Sequence, residues 1–164
     1  MYTKILATIS VILIAFVVLL GIYFSVHNPD SPDGSAISAE KVADELINST
    51  VIKFEPLVKV AGSNIDAHFS FDRKSIEEIA YYISKSDNFA EEICIIKVGE
   101  ASAIPAVREA FSNHLRMLEA SFKDSNPKEY AKIKDVVIFE KGSVICLVIS
   151  PNSTEALKIL NRNI

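Results

Sequence analysis

Three short fragments of this 164-residue chain carry the side chains of a serine acyl-transfer site. Ser38 to Lys41 fits S-x-x-K, Ser86, Asp87 and Asn88 spell S-D-N, and Lys141, Gly142 and Ser143 lie near the lysine motif that completes such a set. The chemistry would need Ser38 activated by the Lys41 amine, Ser86 and Asn88 moving protons, and Lys141 holding a substrate carboxylate. The third motif is scrambled, however, and the chain is too short for the two-lobed fold that aligns the three. A second S-x-x-K at Ser125 to Lys128 shows how cheaply the pattern arises. Capping and loop roles account for all of these residues.

Metal chemistry has less support. His27, His68 and His114 stand apart, and no pair of His, Cys or carboxylate residues has ligand spacing such as H-x-x-x-H or C-x-x-C. His114 reads as a boundary residue of a helix. The acidic residues between Asp87 and Glu92 read as a solubilising loop, because five or six convergent oxygens for calcium are not laid out there. Of the adjacent Tyr81 and Tyr82, one must face the other side of a strand, and a covered sheet face suits them better than a binding role. No glycine-rich phosphate loop exists. No residue is therefore assigned a catalytic, cofactor-binding or metal-binding role, and no cofactor is expected.

The elements that would hold any site begin with Ile5 to Phe24, twenty residues without a charge. As a helix rising about 1.5 Å per residue it would reach roughly 30 Å, the thickness of a bilayer's hydrocarbon core. The run is longer than a typical signal and lacks a small-residue cleavage site close behind it, which favours a retained anchor; the alternative is secretion after signal cleavage. Lys4 precedes the run and no Lys or Arg follows until Lys41, so the expected topology is single-pass, N-terminus cytoplasmic and the remainder outside. The expected organisation is a transmembrane anchor over 1–26, a linker over 27–37 containing Pro29, Pro32 and Gly34, and one exterior domain over 38–164.

Leaving Lys4 aside, the remainder has 16 basic against 21 acidic residues and no basic stripe. That argues against nucleic acid, which needs clustered cations. The expected partners are membrane lipid through the N-terminal helix and an unknown protein or cell-envelope ligand. Cys94 and Cys146 fall in apolar runs; they could pair in an oxidising exterior, but buried free thiols are at least as common, and sequence does not fix which strands are neighbours.

Along the domain, Ser38 can cap a helix carrying Val42, Leu46 and Ile47, and a short helix is expected around Ala61 to Phe69. Ile76 to Ser84 fits either a helix or a strand. Glu92 to Val98 has strand length. Ser102 to Lys123 is the best helix, with Ile104, Val107, Phe111, Leu115, Leu118 and Phe122 along one face and Pro105 in its first turn. Asn126 and Pro127 open a short helix through Ile133. Val136 to Phe139 and Val144 to Ile149 form a hairpin about Gly142, and Ser153 can cap a last helix.

The acidic pair Glu91 and Glu92 opening Ile93 to Lys97, the helix around Leu115 to Phe122, the Pro127 to Tyr130 step and the Gly142 hairpin together resemble domain of unknown function family 4358. The resemblance covers roughly residues 40 to 160. It implies a bacterial, mostly Firmicutes, exterior protein, either a lipoprotein or membrane-anchored, with no established activity, and it favours a strand over Ile76 to Ser84. The chain departs from the family in having a plain transmembrane run instead of a lipid-modified cysteine, and Ser143 where Asn commonly follows the turn glycine.

The expected fold is α+β: one N-terminal transmembrane helix, then an antiparallel sheet of about four strands in two hairpins, with the long helix packed on one face. The expected function is a non-catalytic, membrane-anchored extracytoplasmic binding or interaction module. The alternative is a small cell-envelope hydrolase or transferase with an unrecognised site.

Overall fold

Strands β3 (Glu92–Val98) and β5 (Val144–Ile149) are apolar at nearly every position, and every residue of both is buried. A strand that shows apolar side chains on both faces must be covered on both. The computed structural model, which describes residues 37–164, has that arrangement. A five-stranded antiparallel sheet in the order β1-β2-β3-β5-β4 places β3 and β5 inside. β1 (Leu57–Lys59) and β4 (Val137–Lys141) form its edges, and β2 (Ile76–Ser84) lies between β1 and β3.

Alternation along the strands divides the core in two. Ile93, Ile95, Val144, Cys146 and Val148 pack under helices α1 (Ala39–Ile47) and α4 (Ser153–Asn163). Cys94, Ile96, Ile145, Leu147 and Ile149 pack under α2 (Ile104–Phe122) and α3 (Pro127–Lys134). Register fixes the pairs, with Tyr81 opposite Cys94, Ile83 opposite Glu92 and Glu92 opposite Ile149.

Helix ends follow local chemistry. Asn126 and Asn152 accept hydrogen bonds from the backbone N–H three residues on, at 3.4 and 3.0 Å, and start α3 and α4. Ser38 does not cap α1 with its own side chain. Its Oγ donates to Glu78 Oε1 on β2 at 2.9 Å, and Glu40 N–H donates to the same oxygen at 3.4 Å, so a strand carboxylate serves the positive end of the helix. At the β4–β5 turn Gly142 has φ 59° and Ser143 does not share the positive φ, the pattern of a type II′ hairpin.

Four parts of the expected fold are corrected. The sheet has five strands, not four, because the three-residue β1 is too short to show alternation in sequence and follows Pro56. The long helix does cover one face, but α1 and α4 cover the other. The expected transmembrane helix finds no counterpart: among the described residues no helix is long and apolar enough to cross a membrane, and the run Ile5–Phe24 lies outside them. The region read as a short helix at Ala61 to Phe69 is a 3-10 helix, Gly62–Ala67.

Candidate functional site

On the α2 side of the sheet a carboxylate, an imidazole and a phenol meet inside the core. Glu92, His114 and Tyr81 are 3%, 5% and 1% exposed. Each lies on the apolar face of its element. Glu92 opens β3, Tyr81 shares the parity of Ile79 and Ile83 on β2, and His114 follows Phe111 by three residues on the buried stripe of α2. The cross-strand register brings the first two within reach.

The hydrogen bonding has one direction. The Tyr81 hydroxyl donates to Glu92 Oε2 at 3.0 Å. His114 Nε2 lies 2.8 Å from Glu92 Oε1 and 3.0 Å from Oε2. Facing two carboxylate oxygens, Nε2 carries the hydrogen, which leaves Nδ1 as the variable atom of the ring. Nδ1 makes no hydrogen bond among the described residues, where the fully buried side-chain polar atom without a partner is Ser150 Oγ. Burial pushes the Tyr81 phenol far above its ordinary pKa, and the Glu92 charge adds to the shift, so the phenol stays protonated and donating.

His68, just after the 3-10 helix, completes the group. Its ring stands edge-on to Tyr81 at 5.2 Å between centroids and 6.0 Å from His114. Burial lowers its pKa below the usual imidazole value, His114 lowers it further, and Glu92 opposes both. Phe69 packs against His114 at 4.7 Å and fixes the ring from another side.

These four residues line a cleft of about 380 Å³. Ile83, Phe89, Leu118 and Phe122 give it apolar walls, while Ser86, Asp87, Ser121 and Ser125 add polar groups. The wall between β2 and β3 is held by a second buried cluster. Lys132 Nζ bridges Glu91 Oε1 at 2.6 Å and Glu129 Oε1 at 2.7 Å. Glu129 Oε2 accepts from Ala90 N–H at 2.9 Å, and Glu91 Oε2 from Glu55 N–H at 2.7 Å. Burial pulls the Lys132 pKa down, but its hydrogen bonds to Glu129 and Glu91 outweigh that and leave it raised. Every oxygen of both carboxylates has a partner, as a buried cluster requires. Its role is to fix the loop that carries Phe89 and Asp87.

The acyl-transfer fragments do not assemble. Ser38 is bonded to Glu78, Lys41 is exposed on α1, Ser86 sits in the β2–β3 turn, and Lys141 lies at the opposite end of the sheet. Cys94 and Cys146 are free and buried in different cores: Cys94 pairs with Leu147 and Cys146 with Ile95, which puts the two thiols on opposite faces. Among the described residues no group of three His, Cys, Asp or Glu side chains could hold a metal ion. His27 lies outside those residues.

Sequence reasoning placed His68 and His114 apart and, although it opened the strand at Glu92, read the acidic residues from Asp87 to Glu92 as keeping a loop soluble. The structure buries both glutamates and brings the two histidines together. A signal was present: a histidine in the apolar stripe of a helix and a glutamate heading an apolar strand each demand a buried partner.

The fold and site define an α+β domain with a two-sided antiparallel sheet and a cleft lined by Tyr81, Glu92 and His114. The chain belongs to the family described as a domain of unknown function (DUF4358), which it matches over residues 50–150. No curated protein and no solved structure matches it. The family span runs from before β1 to the end of β5, so it includes His68, Tyr81, Glu92 and His114 and leaves out α1 and α4.

Proposed function

We propose that this domain is a binding module displayed outside the cytoplasmic membrane, and that a small ligand seats in the cleft over Tyr81, Glu92 and His114. The observation that carries the reading is a hydrogen-bonded polar trio lining an open cleft with apolar walls, the usual make-up of a small-molecule site. Support for the address comes from sequence: the apolar run Ile5–Phe24 and the flanking charges. Membrane lipid at that run and a cell-envelope ligand at the cleft are the partners this reading implies.

Benzyl alcohol titrated into full-length protein in lipid nanodiscs tests the cleft. The methyl resonances of Ile83 and Leu118 are expected to shift saturably while exposed Leu157 on α4 stays still; absence of saturation removes the reading. Protease added to intact protoplasts is expected to digest the domain, and protection until lysis would overturn the address.

A second reading, a small hydrolase or transferase, is favoured by one observation: His114 is held by Glu92 through Nε2 with Nδ1 unused, the arrangement of a general base. Turnover of p-nitrophenyl acetate lost in His114→Ala would support it. The binding module predicts no such turnover.

A further inference from the structure

The balance of charge around the cleft is one-sided. Its lining includes three carboxylates, Asp87, Glu91 and Glu92, and neither lysine nor arginine. Lys132 lies behind the wall and is shared between Glu91 and Glu129, so that cluster keeps one negative charge in excess. Lys85 is exposed and lines the adjoining groove with Glu55 and Pro56 rather than the cleft. Glu92 is paired with His114, so that pair adds no net positive charge. The charged residues of the lining are therefore acidic, and Asp87 is exposed and free of any ion pair among the described residues.

The walls point the same way. Phe89 has the Lys132 ammonium 5.8 Å from its ring centroid, a cation–π contact that shows the ring can serve an ammonium group. Phe122, Leu118 and Ile83 give an apolar body somewhere to lie, a use a bare metal ion would not have. His68 makes no side-chain hydrogen bond among the described residues, and with the unbonded Nδ1 of His114 it presents ring nitrogens able to accept from N–H donors.

Resting on the binding-module reading above, we propose that the cleft selects a small organic cation, an ammonium group on an apolar or aromatic body, and disfavours the isosteric carboxylate. The ammonium faces Asp87 and the imidazoles, and the body lies against Phe89, Leu118 and Phe122. Two unit charges separated by a few ångströms near a protein surface differ enough in energy between attraction and repulsion to give at least about tenfold discrimination.

Three probes of one shape test this: benzylammonium, benzyl alcohol and phenylacetate, each titrated into the full-length protein in nanodiscs of neutral lipid and followed at Ile83 and Leu118. Benzylammonium is expected to bind about tenfold or more tighter than phenylacetate, with benzyl alcohol between them. Asp87→Asn, an exposed change that leaves the core intact, is expected to reduce that ratio several-fold, and raised salt to reduce it further. Equal affinity for the two ions, or tighter binding of phenylacetate, overturns the cation assignment and leaves the cleft standing. Failure of all three probes overturns the cleft and the assignment together. A ratio unchanged in Asp87→Asn overturns the role given to the rim carboxylate and with it the proposed orientation.

Discussion

One face of the sheet pairs its buried charge with an exposed partner, whereas the other buries both partners. Under α1 and α4 the core is Val42, Leu46, Ile93, Ile95, Cys146 and Leu160, and Lys97, which shares the parity of Ile93 and Ile95, has a side chain 7% exposed paired with that of Glu77, 54% exposed. Under α2 and α3 the same strands present Glu92, whose side chain is 4% exposed, to His114, at 6%. Both faces are equally available to apolar residues, since β3 and β5 alternate between them. Burying a carboxylate and an imidazole costs several kcal/mol that their mutual attraction only partly returns. A fold that needed only stability gains little from burying both members of a polar pair, and that is the ground for placing the proposed ligand at the trio.

The largest expected effect breaks this comparison directly. Glu92→Ala leaves His114 and the Tyr81 hydroxyl buried without their acceptor and is expected to cost about 3 to 5 kcal/mol in urea unfolding. The triple change Tyr81→Phe, Glu92→Leu, His114→Leu removes all three polar groups at once and is expected to be at least as stable as the parent while losing benzylammonium binding. On the other face Leu46→Ala is expected to cost about 2 to 5 kcal/mol through the cavity it leaves, with no effect on the cleft. If the triple variant is as damaged as Glu92→Ala, the trio is structural and the contrast between the faces loses its functional meaning.

The cysteines sharpen the same contrast from within single strands. Burial pushes the thiols of Cys94 and Cys146 well above their ordinary range, and Glu92 adds to the shift at Cys94. Neither is expected to react with iodoacetamide in the native protein, and both are expected to react after denaturation, as read by mass. Oxidation is expected to give no intramolecular disulfide, because the sheet itself separates the thiols. Such a bond forming without unfolding would show that the two cores are not distinct.

What sequence revealed of this fold follows the range of its signals. Capping and periodicity act within a few residues, so the strand Glu92–Val98, the helix after Pro105, the Asn126–Pro127 start and the Gly142 turn were all legible. The order of strands depends on pairs far apart in the chain, such as Tyr81 with Cys94 and Leu57 with Ser84, which no local pattern encodes. The candidate site has the same character. Glu92 and His114 are 22 residues apart in sequence, and His68 is brought to them by a 3-10 turn with no strong pattern of its own. The doubly apolar character of β3 and β5 did carry information about covered faces, but only as a demand for more helices and not as their identity.

The smallest effect separates the faces by pH. His68 has a folded pKa depressed below the ordinary 6.5, by burial first and by His114 second. The unfolded chain therefore takes up this proton first as pH falls, so the contribution is complete above 6.5 and is lost as pH drops through the folded value. Glu40 on the other face is depressed below 4.5 by its hydrogen bonds to Lys59 and then Tyr82, and its contribution, present above 4.5, is lost only as pH falls below that. Urea midpoints at pH 8, 5.5 and 3.5 are expected to show His68→Gln flattening the first interval and Glu40→Gln the second. Both groups are part-exposed, so water screens them and each change is expected to be small beside that of Glu92→Ala. A first interval unchanged by His68→Gln would mean that the imidazole near the cleft feels neither burial nor His114. The His68 ring would then meet bulk water rather than the wall of the cleft.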